Sequence, residues 1–108
     1  MKLFSVSLLV IAAVAPAQET QTFVGTINDD ICARDGHARM RMGPTDAECT
    51  TLCVMLHNAA YVLDDGKNVY VLSDQRTPEK FAAQKVRITG MLDASSNTIE
   101  VRSIEAAR

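Results

Sequence analysis

Three cysteines and a histidine carry the most evident chemistry of this sequence: Cys32, His37, Cys49 and Cys53. Thiolate and imidazole are the usual ligands of Zn²⁺, and three thiolates with one histidine make a complete tetrahedral set. Sulfur ligands equally suit Cu⁺. These four residues are therefore a candidate metal site for zinc or copper. Further candidate ligands are His57, Met40 and Met42.

The same cysteines also suit a disulfide that fastens a small domain. Cys49 and Cys53 are four residues apart, and in a helix their Cβ atoms would be about 5 to 6 Å apart, which is too far for a disulfide. Cys32 would therefore pair with Cys49 or with Cys53. Either disulfide would close a loop of about 17 to 21 residues, which contributes about 3 kcal/mol to the free energy of unfolding in the chain-entropy model. Our first interpretation is thus a disulfide-stapled, non-catalytic binding or structural module, with metal binding as the alternative.

A thiol redox role is a second alternative, because a cysteine near a helix start, such as Cys49, has its thiolate favoured. The chain has no Cys-x-x-Cys pair, no haem attachment motif, no phosphate-binding glycine-rich loop and no Gly-x-Ser-x-Gly elbow. We assign no catalytic residues and predict that the protein is not an enzyme.

A helix that begins after Thr45 is predicted to position two of the thiols. Thr45 and Glu48 have the spacing of a capping box. If the helix runs to about residue 58, Cys49, Cys53 and His57 recur every four residues on one face, together with Leu52, Leu56 and Ala60. The face turned inward would then carry two thiols and an imidazole. Residues 29–44, which precede the helix, have no sustained periodicity and are predicted to be an irregular loop.

The first 17 residues have the features of a secretory signal peptide. A basic start is followed by an apolar run of about a dozen residues and an Ala-Pro-Ala sequence. We predict a single mature domain over residues 18–108 that is exported to the periplasm or the extracellular space without a membrane anchor. The acidic net charge of −2 disfavours nucleic acid as a partner. A protein partner stays open.

Five short segments alternate apolar and polar residues or contain β-branched and aromatic residues, which predicts strands. They are residues 21–28, 61–63, 68–72, 85–92 and 98–104. Asp65-Gly66 predicts a hairpin turn, Gly25 and Gly90 predict bends, and Thr77-Pro78 predicts the start of a short helix. Five strands with a helix between the third and fourth match an OB-like barrel, mainly β with helices (α+β), here with an extra cysteine-bearing helix between strands one and two. The alternative is a small α+β sheet with the helix packed on one face.

The order of these features resembles a family of small secreted bacterial proteins, acidobacterial in type, that is grouped only as a domain of unknown function. The resemblance rests on Asp29-x-x-Cys32, His37-x-x-Met40 and Cys49-x-x-x-Cys53, followed by the hydrophobic strand segments up to Gly90. It covers essentially the whole mature chain and implies no activity. Relatives often have another residue at position 57, so the resemblance favours His37 over His57 as a ligand.

Overall fold

A computed structural model of the protein describes residues 19–107, and the predicted signal peptide lies outside these described residues. The described chain forms five strands and two α-helices. The strands are β1 (Gln21–Asp29), β2 (Tyr61–Asp64), β3 (Val69–Leu72), β4 (Lys85–Asp93) and β5 (Thr98–Ala106), and the helices are α1 (Asp30–Asp35) and α2 (Asp46–His57). Short 3₁₀ helices span His37–Met40 and Thr77–Phe81. No helix within residues 19–107 is both long enough and apolar enough to cross a membrane.

The strands close into a barrel in the order β1-β2-β3-β5-β4. All pairs are antiparallel except β3 and β5, which are parallel. Strand β1 closes the barrel because its first part pairs with β4 and its last part pairs with β2, with Thr26 belonging to both registers. The predicted five-stranded OB-like architecture, with a cysteine-bearing helix between β1 and β2, is confirmed.

Two glycines lie where the barrel strands approach closely or change register. A Cβ atom on Gly25 would lie 2.6 Å from the carbonyl oxygen of Asp64, so no larger residue fits without displacing the backbone of β2. The register between β4 and β5 shifts at Thr89 and Gly90, which is a β-bulge. The bulge agrees with the predicted change of direction near Gly90, whereas at Gly25 the structure shows a close approach of β1 to β2.

Buried side chains form two clusters. The barrel interior consists of apolar residues from all five strands: Ile27, Tyr61, Leu63, Leu72, Val86, Ile88 and Ile99. A second cluster lies under α1 and α2 and consists of Cys32, Cys49, Cys53 and Ala59. The cysteines thus lie beside the barrel core, in a layer made by the insertion between β1 and β2.

Two local predictions differ from the structure. Residues 29–44 are not simply a loop, because Asp29 caps α1 and Gly36, at φ 79°, ends it. The helix predicted from Thr77 is a 3₁₀ helix, and Thr77 lies inside it rather than capping it. Asp74 instead accepts hydrogen bonds from the backbone N–H groups of Arg76 and Thr77. In both places an aspartate side chain satisfies backbone donors at the start of a turn.

Candidate metal centre

Helix α2 positions two of the three thiols. Its predicted start is confirmed, since the Thr45 side chain accepts a hydrogen bond of 3.1 Å from the backbone N–H of Glu48. The helix ends at His57, where Asn58 takes the left-handed conformation at φ 55°. Cys49 and Cys53 lie one turn apart on its buried face and both are fully buried.

Helix α1 brings the third thiol to α2. The Asp29 carboxylate accepts a hydrogen bond of 2.9 Å from the backbone N–H of Cys32, which fixes the first turn of α1. Asp30 and Ala60 are joined by two hydrogen bonds of 3.0 Å, one from each backbone N–H. These bonds tie the start of α1 to the segment that follows α2. Cys32 is consequently held against α2 and is 4% exposed.

The Sγ atom of Cys32 lies 3.8 Å from that of Cys49 and 4.0 Å from that of Cys53. All three thiols are free within the described chain, so neither predicted disulfide is formed there. The separations are well above the S–S bond length of about 2.05 Å. Four ligands at the Zn–S distance of about 2.3 Å from an ion would lie about 3.8 Å from one another. Both measured separations are close to this value, so Cys32 can share a metal ion with Cys49 or with Cys53 without large rearrangement.

The segment between α1 and α2 contacts Cys49 through its backbone. The N–H of Met42 donates a hydrogen bond of 3.4 Å to the Cys49 sulfur, and the Cys49 thiol faces the carbonyl of Met40 at 3.7 Å. The Met40 side chain is 40% exposed, whereas that of Met42 packs against the cysteine cluster. The segment between the helices therefore holds the Cys49 sulfur in place through its backbone.

The potential ligands divide into two groups that share Cys32. In one group, ligand atoms of Cys32, His37 and Cys49 all lie within 4.8 Å of one another, and in the other the same holds for Asp29, Cys32 and Cys53. All four residues of the predicted metal site therefore occur in these groups, with Asp29 as an additional member. No larger group of this kind occurs among residues 19–107. Cys32 is the residue on which both groups depend.

Two buried polar atoms beside the thiols have no hydrogen-bond partner within the described chain. They are Oδ1 of Asp29 and Nδ1 of His37. Buried polar atoms in native proteins are almost always paired, because an unpaired one costs about 1 to 3 kcal/mol. Each of these residues belongs to one of the two ligand groups. A carboxylate oxygen and an imidazole nitrogen are both common metal ligands. A metal ion held by the neighbouring thiols would therefore be the partner that these two atoms lack.

Burial keeps the thiols of Cys32 and Cys53 neutral when no cation is present. The pKa of Cys32 is raised, first by burial and then by the neighbouring carboxylate of Asp29. The pKa of Cys53 is raised by burial and by the charge of Asp29. Nucleophilic thiol chemistry requires a thiolate, so these two residues are poorly suited to the redox alternative. A bound cation would instead favour the thiolate form of these cysteines, since metal binding deprotonates cysteine.

The prediction that His57 shares the inward face of α2 is wrong. His57 is exposed, and Leu56 is 64% exposed. The chain turns back at Asn58, and Ala59, whose N–H donates to the carbonyl of Cys53, occupies the place beside the cysteines. Of the residues that the four-residue spacing places on this face of α2, Leu56 and His57 therefore do not join the cysteine cluster. His37 is the histidine that reaches the thiols.

Sequence reasoning missed Asp29 as a member of the centre. The available signal was its position three residues before Cys32, which is the spacing of a helix cap. An N-cap aspartate uses one oxygen for the helix and leaves the other free for a second partner. A surface cleft also reaches this region, and its lining includes Ile31, Cys32, Gly36, Arg39 and Met40. Cys32 thus forms part of the wall of this cleft.

Comparison with known proteins identifies a family for the C-terminal half of the chain. A family model described as "Protein of unknown function (DUF5818)" matches residues 54–107. No curated protein and no solved structure matches the chain. The matched segment runs from the last turn of α2 through β5. It begins directly after Cys53, so it contains the last four strands of the barrel but none of the residues of the candidate metal centre.

Proposed function

This chain belongs to the DUF5818 family of proteins of unknown function, and we propose that it is a non-catalytic module that binds one soft metal ion, Zn²⁺ or Cu⁺. The proposed ligands are Cys32, His37, Cys49 and Cys53. Because the family match begins only after these residues, the proposal rests on their arrangement alone.

The observation that carries the proposal is the pair of unpaired buried atoms next to three buried thiols. Asp29 is 0% exposed, and no ion pair found within residues 19–107 includes it. A buried carboxylate without a positive partner is strongly unfavourable. A cation held by the neighbouring thiolates would supply the missing charge. The same ion would give His37 Nδ1, or the opposite ring nitrogen, a partner.

A disulfide-stapled interaction domain is the second candidate, and the near-equal distances from Cys32 to both α2 thiols favour it. Oxidation would join Cys32 to Cys49 or to Cys53 after a small side-chain movement. Such a bond would stabilise the insertion, but it would leave the buried atoms of Asp29 and His37 without partners. We therefore rank metal binding first.

An exported location is part of the proposal and is based on the apolar N-terminal segment. Outside the cytoplasm, metal binding and disulfide formation compete for the same thiols. A bound ion would protect Cys32 and its neighbours from oxidation. The module would thus hold its ion only while these thiols stay reduced.

A metal titration of the reduced protein tests this function. The mature chain, kept under a reducing agent that does not bind metals and without oxygen, is titrated with Zn²⁺ against a chromophoric chelator and, separately, with Cu⁺ against a Cu⁺-specific chelator. We expect one ion to bind tightly in at least one titration. Folded, fully reduced protein that competes with neither chelator would overturn the proposal. Met55→Ala, at a 67% exposed position on α2, serves as a control variant that retains wild-type binding.

A further inference from the structure

Asp29 lies where β1 ends and α1 begins, and its two carboxylate oxygens have different surroundings. Oδ2 accepts the hydrogen bond from the backbone N–H of Cys32. Oδ1 is buried without a hydrogen-bond partner in the described chain. One oxygen is therefore engaged in capping the helix while the other is available to a ligand.

The surroundings of the free oxygen are sulfur atoms. A carboxylate oxygen of Asp29 and the sulfurs of Cys32 and Cys53 lie within 4.8 Å of one another, and all three residues are buried. When both thiols are deprotonated, three anionic groups at this separation repel one another unless a cation lies between them. Strand β1 fixes the position of Asp29, which pairs with Tyr61 of β2. The carboxylate is thus held in place by the barrel rather than by a mobile loop.

We propose that Asp29 is itself a ligand of the bound ion, and that its carboxylate makes the centre prefer Zn²⁺ to Cu⁺. This inference rests on the proposed metal-binding function and places a hard oxygen donor beside Cys32 and Cys53, so that a four-coordinate ion takes its ligands from five candidates. Zn²⁺ accepts carboxylate oxygen at about 2.0 to 2.2 Å together with cysteine and histidine. Cu⁺ is satisfied by soft sulfur ligands and gains little from a carboxylate. The charge of the ion also favours Zn²⁺, because a divalent cation neutralises more of the negative charge of the ligand group than a monovalent one.

Asp29→Asn separates the ligand role of the carboxylate from its capping role. Asparagine caps helices about as well as aspartate, so the variant retains an acceptor for the Cys32 N–H. It removes the negative charge and replaces one oxygen by an NH₂ group, which cannot coordinate a cation. Asp30→Asn is the matched control, because Asp30 is the next residue, is exposed and uses its oxygen for the Ala60 N–H.

The experiment compares the competition titrations of the wild type and both variants with Zn²⁺ and with Cu⁺. We expect Asp29→Asn to lower the zinc affinity at least about tenfold, the lower bound for loss of a group that supports a metal site. Its Cu⁺ affinity should stay within about twofold of the wild type, and Asp30→Asn should change neither. An unchanged zinc affinity, or equal losses for both ions, would overturn the role of Asp29 while leaving metal binding intact. A wild type that binds neither ion would instead overturn the proposed function and this inference with it.

A second measurement on the wild type needs no variant. Zn²⁺ and Cu⁺ are both diamagnetic, so the carboxyl ¹³C resonance of Asp29 can be followed by NMR during each titration. We expect it to shift on addition of Zn²⁺ and to change much less with Cu⁺, with the Asp30 resonance as an internal reference. A zinc-loaded protein in which the Asp29 resonance does not move would contradict direct coordination.

Discussion

The Sγ atoms of Cys32 and Cys49 lie 3.8 Å apart although the two residues are 17 positions apart in the chain. They are brought together by two helices that begin with side-chain caps, Asp29 for α1 and Thr45 for α2. Cys32 makes a similar approach to Cys53 at 4.0 Å. It is therefore the one thiol that both groups of potential ligands contain.

Replacing Cys32 should cost more metal affinity than replacing either other cysteine. Cys32→Ser removes a ligand from both groups, whereas Cys49→Ser and Cys53→Ser each leave one group intact. We expect Cys32→Ser to lower the affinity more than about a hundredfold, since even groups that only support a metal ligand contribute about 10- to 100-fold. Chelator competition on reduced, folded protein measures this. Equal losses for the three variants would contradict the central place of Cys32.

The two histidines should behave differently. His37→Ala removes the imidazole that lies with Cys32 and Cys49 and should weaken metal binding at least about tenfold. His57→Ala removes an exposed side chain at the end of α2 and should leave binding unchanged. The same titration checks both variants, each serving as the control for the other. A larger loss for His57→Ala would show that the histidine assignment is reversed.

The metal-free, reduced protein should lose stability as the pH rises above about 8.5, the usual pKa of a cysteine in an unfolded chain. The folded state raises the pKa of Cys32 and Cys53, so it keeps protons that the unfolded chain releases in this range. Stability from this source is therefore complete below that pH and is lost as the pH increases. Thermal unfolding between about pH 7 and about pH 9.5, with a chelator present, measures the effect. Cys32→Ser should flatten the dependence, and a midpoint that rises with pH in the wild type would contradict it.

Gly25→Ala should destabilise the barrel without acting on the metal ligands. The new Cβ would lie 2.6 Å from the Asp64 carbonyl oxygen, so β1 and β2 must separate. Overpacking of this kind costs about 1 to 3 kcal/mol. Chemical denaturation measures the loss, and Thr22→Ala, at an exposed position of the same strand, should have a much smaller effect. A Gly25→Ala variant as stable as the wild type would show that the strands accommodate the added methyl group.

The barrel is predictable from the sequence because its signals are local. Alternating apolar residues, the Asp65-Gly66 turn and the glycine bends each specify one element, and five such strands leave few ways to close a sheet. The capped start of α2 was equally clear, since Thr45 and Glu48 stand in the spacing that caps a helix.

The metal centre is only partly predictable, because it depends on where helices end and how they pack. The four-residue spacing places His57 on the face of Cys53, but the chain turns back at Asn58 and Ala59 takes the position instead. Helix α1 has only one turn and a half, too short to produce a periodic pattern. In the sequence, Asp29 is a polar residue at the end of a predicted strand, and nothing there indicates that it is buried. Its burial beside the cysteine sulfurs is evident only from the folded structure.

Intact mass measured under native and denaturing conditions, with a count of free thiols, tests metal binding most directly. The mature chain is isolated without added metal or reductant from the periplasm or the medium, to which we propose that it is exported. Our account predicts a native mass increased by one metal ion, lost on denaturation, with all three cysteines then reacting as free thiols. A mass lower by two hydrogens that denaturation does not change, with one free thiol, would show a disulfide in place of the ion and contradict the account.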